Sequence, residues 1–129
     1  MAGRLGYPVV ELPDEVISSD SVISYLVRQL AEQGRIPMYC VSRVACQVVR
    51  RERQGSTVLA TGIALPHSKT DVPRPIGIIG RSSAPIPWES SCGVNVYEVC
   101  LLLLPASDPK EYLRALKEAA DNLSESKPS

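Results

Sequence analysis

The sequence predicts a compact α/β domain in which helices cover a largely buried β-sheet. Apolar residues recur at helical spacing near both ends of the chain, whereas the middle carries short extended segments separated by glycine and proline. The run from Val99 to Leu104 is apolar throughout, as expected for a strand that is covered on both faces and lies centrally in its sheet. Helices together with such a strand favour a layered α/β arrangement.

The N-terminal part of the chain predicts one short strand and two amphipathic helices. Val9–Leu12 is a strand candidate that ends at Pro13. The first helix is expected to begin at the capping side chains of 18–21 and to end near Gly34. Its apolar face is Ile23, Leu26, Val27 and Leu30. The second helix has the apolar face Val41, Val44, Ala45, Val48 and Val49, and it ends in the basic cluster Arg50, Arg51 and Arg53.

The middle of the chain predicts strands joined by turn-rich loops. The strand candidates are Ser56 to Leu59, Thr61 to Leu65, Ile76 to Ile79, and Val94 to Leu104. Loops are expected at 71–75 and 82–91. Trp88, in the second loop, is expected to pack against the rim of the sheet rather than to stack on a ligand.

A third helix is predicted near the C-terminus. Asp108 is expected as its N-cap, Pro109 as its first residue, and Glu111 as the partner that closes a capping box. The expected core-facing residues are Leu113, Leu116, Ala120 and Leu123. We therefore expect a single domain over 8–124, with flexible termini at 1–7 and 125–129.

Composition excludes several classes of function. Fourteen basic and fourteen acidic residues give a formal net charge of zero, so no overall basic field would attract nucleic acid or an anionic membrane. No signal peptide, membrane-spanning segment or glycine-rich nucleotide motif is recognisable. The four cysteines are unpaired in spacing, which favours reduced thiols in a cytoplasmic protein over a zinc site, and Cys46 and Cys100 are expected in the core.

The segment Thr61–His67 contains the only histidine, immediately after Pro66. We expect the strand to stop at the proline and the next turn to present His67 rather than bury it. Imidazole can act as a neutral nucleophile near pH 7, so His67 is the first candidate for chemistry. The alternative is a surface or hydrogen-bonded histidine without a chemical role. A cysteine enzyme is disfavoured, because no base other than His67 is available.

Two sequence blocks specify a family. Arg51–Thr57 reads R-E-R-Q-G-S-T, and Gly62–His67 reads G-I-A-L-P-H. In this order and at this separation they resemble the enzyme IIA domains of the fructose/mannitol and nitrogen-regulatory type from the bacterial sugar phosphotransferase system. The resemblance extends over roughly Val9 to Leu123. It implies a mixed sheet sandwiched between helices, with His67 at the edge of a shallow depression.

The resemblance also implies a function. His67 would accept a phosphoryl group, through Nε2, from the phosphocarrier protein HPr and pass it to a IIB protein or domain, in sugar uptake or its regulation. Arg51 and the Ser56 and Thr57 hydroxyls or backbone would stabilise the phosphoryl charge. No metal and no organic cofactor is needed for this transfer.

The chain departs from the family at two places. Tyr112 stands where family members usually carry a second histidine, and a phenol can form hydrogen bonds but cannot carry a positive charge. Phosphorylation is therefore expected to be slower or lost, and the alternative function is a non-catalytic regulatory binding module with the same fold. Family members also usually continue through further helical structure after the position of Leu123, and a homodimer could replace the missing covering.

Overall fold

A computed structural model describes residues 6–55, 57–59, 61–88 and 94–124. It contains five strands, three α-helices and one 3₁₀ helix in the described ranges. In chain order these are β1 Val9–Glu11, α1 Ser19–Glu32, the 3₁₀ helix Met38–Cys40, α2 Val41–Gln54, β2 Ile63–Ala64, β3 His67–Thr70, β4 Ile76–Ile86, β5 Val96–Pro105 and α3 Pro109–Ser124. None of these helices is both long enough and apolar enough to cross a membrane.

The strands form one mixed sheet with β5 at its centre. β4 pairs with β5 antiparallel, and β1 pairs with the other edge of β4 in parallel. On its opposite side β5 is paired in parallel by β2 and then, further along, by β3. The predicted mixed sheet with helices is thus confirmed, and so is the central place of the apolar strand.

The two faces of the sheet are covered by different helices. Leu101 and Leu103 pack in a core cluster with α1 and α2. Leu102 and Leu104 pack with Ala115, Ala119 and Leu123 of α3 in a second cluster, the α3-side cluster. The four leucines of β5 are fully buried. Because successive residues of a strand point to opposite faces, this explains why the run has no polar alternation.

The two ends of the first helix follow the local rules that predicted them. Ser18 caps α1 by accepting the Ser21 N–H at 3.2 Å, and the Ser21 hydroxyl accepts the Ser18 N–H at 3.0 Å. Gly34 follows the last turn with a φ of 75°.

The start of α3 is only partly as predicted. The Glu111 N–H donates to the Asp108 carboxylate at 3.1 Å, which confirms the N-cap. The capping box does not close, because the Glu111 carboxylate binds Arg114 and the Asp108 N–H donates to the Pro105 carbonyl instead.

The face that α3 buries differs from the sequence prediction mainly at Leu113, which is 63 % exposed. Leu123 is buried as predicted, and Leu116 and Ala120 are partly buried against the same cluster. Ala115 and Ala119, which the prediction left out, are also buried. The part of α3 that faces the sheet therefore includes two small alanine side chains, and Leu113 points to solvent.

Three strand predictions also need correction. The segment 61–65 contains only the two-residue strand β2, and a further strand, β3, begins at His67, where a turn was expected. β4 continues to Ile86 through part of the predicted loop 82–91. Its register with β5 shifts between Arg81 and Ile86, and this irregularity accommodates Pro85 within the strand.

One of the two cysteines expected in the core is exposed. Cys100 is fully buried as expected, whereas Cys46 is exposed because it lies on the outer face of α2. Burial raises the pKa of the Cys100 thiol to about 12, which makes it a poor nucleophile.

Tyr7 was expected in a flexible terminus, but its ring packs over Gly77, where an added Cβ would lie 2.6 Å from a ring carbon. Cys92 and the remaining predicted termini, 1–5 and 125–129, lie outside the described residues.

Candidate functional site

A tight chain reversal leads into the segment that holds His67. The Gly62 N–H donates to the Leu59 carbonyl, and the Leu59 N–H donates to the Ile63 carbonyl, each at 2.9 Å. The Leu65 N–H donates to the Thr57 carbonyl at 2.8 Å. Gly62 has a φ of 85°, in the left-handed region that favours glycine. The glycine of the G-I-A-L-P-H block therefore sets the direction in which the chain reaches the histidine.

His67 is the first residue of β3 and is buried, which corrects the expectation of an imidazole presented by a turn. The residue is only 4 % exposed. The Leu102 N–H donates to the Pro66 carbonyl at 3.0 Å, so pairing with β5 is already established at the proline. Proline removes only its own donor, and its carbonyl remains available for this bond. The chain thus resumes strand pairing where the sequence suggested that a strand stops.

The hydrogen bond of the imidazole fixes its tautomer. His67 Nδ1 lies 2.9 Å from the Leu65 carbonyl oxygen, which can only accept. Nδ1 must therefore carry the proton, and in the neutral ring Nε2 keeps its lone pair. Burial lowers the pKa of His67 below its ordinary value of 6.5, although the bond to Leu65 acts in the opposite direction. The ring is neutral at pH 7, with Nε2 as its basic and nucleophilic atom.

Two side chains from the end of α2 act on the imidazole through their charges. The Arg51 guanidinium contributes to lowering the pKa of His67, after burial, and the Glu52 carboxylate contributes to raising it. Arg51 Nη1 donates to the Gly55 carbonyl at 3.1 Å, beyond the last turn of its own helix. A guanidinium has five N–H donors, so this bond leaves others available.

The sequence prediction favoured Arg51 over Arg53 as the arginine that stabilises the phosphoryl charge, and the partners of the two side chains support this choice. Arg53 forms an exposed ion pair with Asp20 at 2.7 Å, at the start of α1. It is thus directed to the neighbouring helix, while Arg51 remains within electrostatic reach of His67. The prediction that favoured Arg51 rested on the motif alone, and the structure adds this physical reason.

Glu52 is a residue of the site that sequence reasoning missed. Its carboxylate accepts a hydrogen bond from the Trp88 indole N–H at 2.9 Å. Trp88 is 6 % exposed and packs in the core cluster of α1 and α2, so its predicted packing role is confirmed. Only the adjacency of Glu52 to Arg51 pointed to this residue, since Trp88 lies 36 positions further along the chain.

Tyr112 lies on the same side of the sheet as His67, but among the described residues no hydrogen bond joins its hydroxyl group to the imidazole. His67 pairs with Leu102, whose side chain belongs to the α3-side cluster, and Tyr112 packs against that cluster. The Tyr112 ring instead contacts the Lys69 ammonium, which lies 5.1 Å from the ring centroid. Lys69 is a second residue that sequence reasoning missed, because its position two residues after His67 matters only if the segment is a strand.

The two remaining predicted residues are Thr57 and Ser56. Thr57 lies in the chain reversal, and its carbonyl accepts a hydrogen bond from the Leu65 N–H. Ser56 lies outside the described residues.

In the described ranges no group of three or more histidine, cysteine, aspartate or glutamate side chains could hold a metal ion.

Comparison with known proteins assigns the chain to a described family. The family model for "Phosphoenolpyruvate-dependent sugar phosphotransferase system, EIIA 2" matches residues 8–127. A nitrogen regulatory protein from Escherichia coli K12 is 32 % identical over 80 residues, which cover 60 % of this chain and 49 % of that protein. A fructose-specific EIIA component from Haloferax volcanii is 23 % identical over 116 residues, covering 89 % of this chain and 74 % of that protein.

Two solved structures share the fold. The nitrogen regulatory protein IIA-Ntr from Neisseria meningitidis has a TM-score of 0.75 and 24 % identity, covering 92 % of this chain and 79 % of that one. Enzyme IIAMTL from Escherichia coli, solved in complex with phosphorylated enzyme IIBMTL, has a TM-score of 0.59 and 16 % identity, covering 89 % and 85 %. The match to several nitrogen regulatory proteins spans only about half of their length.

Proposed function

This chain belongs to the EIIA 2 family of the phosphoenolpyruvate-dependent sugar phosphotransferase system, and on that premise we propose that it is a phosphocarrier. His67 would accept a phosphoryl group from an HPr-like protein and pass it to a IIB-like partner. The observation that carries the proposal is the bond between His67 Nδ1 and the Leu65 carbonyl. It leaves Nε2 of a neutral ring as the atom able to attack phosphorus.

The proposed step needs no chemistry beyond positioning and charge stabilisation. The Nε2 lone pair forms a new bond to phosphorus, the bond between phosphorus and the donor's nitrogen breaks, and that nitrogen keeps the electron pair. The proton on Nδ1 stays in place. The phosphorylated ring then carries a positive charge, which the Leu65 carbonyl oxygen 2.9 Å away stabilises.

Arg51 is the proposed phosphate ligand among the arginines. Its charge already acts on the imidazole, and its bond to the Gly55 carbonyl leaves donors for phosphoryl oxygens. Thr57 and Ser56 remain proposed ligands through their hydroxyl groups or their backbone N–H groups. The Thr57 carbonyl, which already accepts a hydrogen bond, has no role in binding an anion.

The proposed partners follow from the relatives. A structure that shares this fold was solved in complex with a phosphorylated IIB protein, which supports a IIB-like partner here. Several relatives are nitrogen regulatory proteins, which supports a regulatory target as the alternative to sugar uptake. A cytoplasmic location is part of the same proposal, and it is supported by the free thiols of the three cysteines that the structure describes.

A second candidate function is a regulatory binding module that docks on a partner without carrying phosphate. The small exposed fraction of His67, 4 %, favours it, because a donor must reach Nε2. Under the phosphocarrier proposal, the ring becomes more exposed when the donor docks than it is in the free chain.

Incubation of the chain with phosphoenolpyruvate, enzyme I and HPr tests the proposal. We expect acid-labile phosphate on the wild type and none on His67→Ala, which removes the only histidine. If the wild type takes up no phosphate but Tyr112→His does, the binding module is the correct function. Labelling that persists in His67→Ala would contradict the assignment of His67.

A further inference from the structure

The register of β3 places Lys69 beside His67 on one face of the sheet. His67 pairs with Leu102 and Lys69 pairs with Leu104, and both leucines belong to the α3-side cluster. Side chains two residues apart on a strand share a face, and their Cα atoms are separated by about 6.6 Å. His67 is buried, whereas Lys69 is exposed. The face that is closed at the histidine is therefore open to solvent at the lysine.

The Tyr112 ring holds the Lys69 ammonium. The Lys69 nitrogen lies 5.1 Å from the ring centroid, within the range of a cation–π interaction. Tyr112 is half-buried in the first turns of α3 and packs against the α3-side cluster, so its ring has a fixed position. A flexible lysine is thereby restricted to the side of the sheet that carries the histidine.

The negative charge of a phosphoryl group on His67 would favour a second cation beside Arg51. A phosphoryl group brings between one and two negative charges near pH 7, and Arg51 already donates one N–H to Gly55. Four other basic side chains are engaged by carboxylates, namely Arg53, Arg81, Arg114 and Lys117. In the described ranges Lys69 forms no ion pair, and the group that holds its ammonium is the neutral ring of Tyr112.

We propose that Lys69 is the second cation of the transfer site, and that its ammonium binds oxygens of the phosphoryl group carried on His67. This inference rests on the proposed phosphocarrier function. Tyr112 is then a positioning residue, and it acts through the face of its ring rather than through its hydroxyl group. The lysine supplies the positive charge that a phenol cannot.

The test is the rate of phosphoryl uptake by the full chain, from phosphoramidate and separately from phosphoenolpyruvate, enzyme I and HPr. We expect Lys69→Gln to lower the initial rate about tenfold with both donors, less than the loss of a buried oxyanion donor because Lys69 is exposed. Lys69→Arg should retain most of the rate. Lys117→Gln removes the charge of another exposed lysine, from an ion pair with Asp121, and should leave the rate unchanged.

Variants of Tyr112 separate the ring from the hydroxyl group. Tyr112→Phe keeps the aromatic face and should stay within about twofold of the wild type, whereas Tyr112→Leu should lose about three- to fivefold, because the lysine keeps its charge but loses its position. The double variant of Lys69→Gln and Tyr112→Leu should be no slower than Lys69→Gln alone, because the ring acts only through the lysine.

The failure of this inference can be told from the failure of the proposed function. If the wild type is phosphorylated on His67 and Lys69→Gln reacts at the same rate, only the role of Lys69 is overturned. If Tyr112→Phe is as slow as Tyr112→Leu, the hydroxyl group acts and the role of the ring is overturned. If the wild type takes up no phosphate from either donor, both proposals are overturned.

Discussion

Replacement of Gly62 by alanine should destabilise the chain reversal that delivers His67 to β3. Gly62 has a φ of 85°, which costs an L-residue about 1–2 kcal/mol. An added Cβ would lie 2.7 Å from the Asn95 carbonyl oxygen, a backbone atom that cannot rotate away. The Gly62 carbonyl also accepts the Tyr97 N–H at 3.1 Å, so a shift of this residue disturbs the pairing with β5. Overpacking of this kind typically adds about 1–3 kcal/mol, for a total of about 2–5 kcal/mol.

Two other glycines provide matched controls for this change. Gly34 also has a positive φ, 75°, but an added Cβ there would meet no atom within 4 Å, so Gly34→Ala should cost only the backbone term of about 1–2 kcal/mol. Gly55 has a φ of 176° and open space around it, so Gly55→Ala should be nearly neutral. The free energy of unfolding, measured by urea denaturation, compares the three. The reasoning is refuted if Gly62→Ala costs no more than Gly34→Ala.

Three further predictions concern the histidine, the tryptophan and the third helix. Burial lowers the pKa of His67 below 6.5, so just below that pH the unfolded chain binds more protons than the folded chain. The free energy of unfolding should therefore fall as the pH drops through this window and level off below the folded-state pKa. An NMR titration of the single histidine that gives a pKa above 6.5 would contradict this. Trp88→Phe removes the donor to the Glu52 carboxylate and should cost about 1.5–3 kcal/mol in urea denaturation, whereas a loss below about 0.5 kcal/mol would argue against that bond. Leu113→Ala should change stability by less than about 0.5 kcal/mol while Leu123→Ala costs about 2–5 kcal/mol, and a loss at Leu113 as large as that at Leu123 would support the face expected from the sequence.

The parts of the fold that depend on neighbouring residues could be predicted from the sequence. The Ser18 cap, the Gly34 terminus and the Asp108 cap are each determined within a few residues, and each is confirmed. The burial of Ala115 and Ala119 and the exposure of Leu113 depend instead on how α3 packs on the sheet, which no local pattern of large apolar residues reveals. Likewise, the end of β4 pairs Ile86 with Val96, across the segment that a turn-rich composition marked as a loop.

In the candidate site, too, some residues could be predicted from the sequence and others depend on contacts between distant segments. His67 was a candidate as the only histidine of the chain, and Arg51 became one through the resemblance of the two blocks to a known family. The roles of Lys69 and Glu52 depend on contacts with Tyr112 and Trp88, which lie 43 and 36 positions away along the chain. Such contacts follow from sheet register and loop packing, and the sequence alone carries no signal for them.

The burial of His67 has two opposite consequences for a phosphocarrier. It removes water from the ring and lowers its pKa, so the imidazole is neutral and Nε2 keeps its lone pair at pH 7. The same burial hinders a donor from reaching that atom, since only 4 % of the residue is exposed. A cation at the open end of this face reconciles the two requirements. Because Lys69 is exposed, its ammonium can bind an incoming phosphoryl group at the surface and stay bound as that group approaches the ring. Before phosphorylation the ammonium stays in solvent, so it places no buried charge next to the imidazole. On this reasoning the loss of Lys69 should slow uptake of the phosphoryl group while leaving the pKa of His67 nearly unchanged.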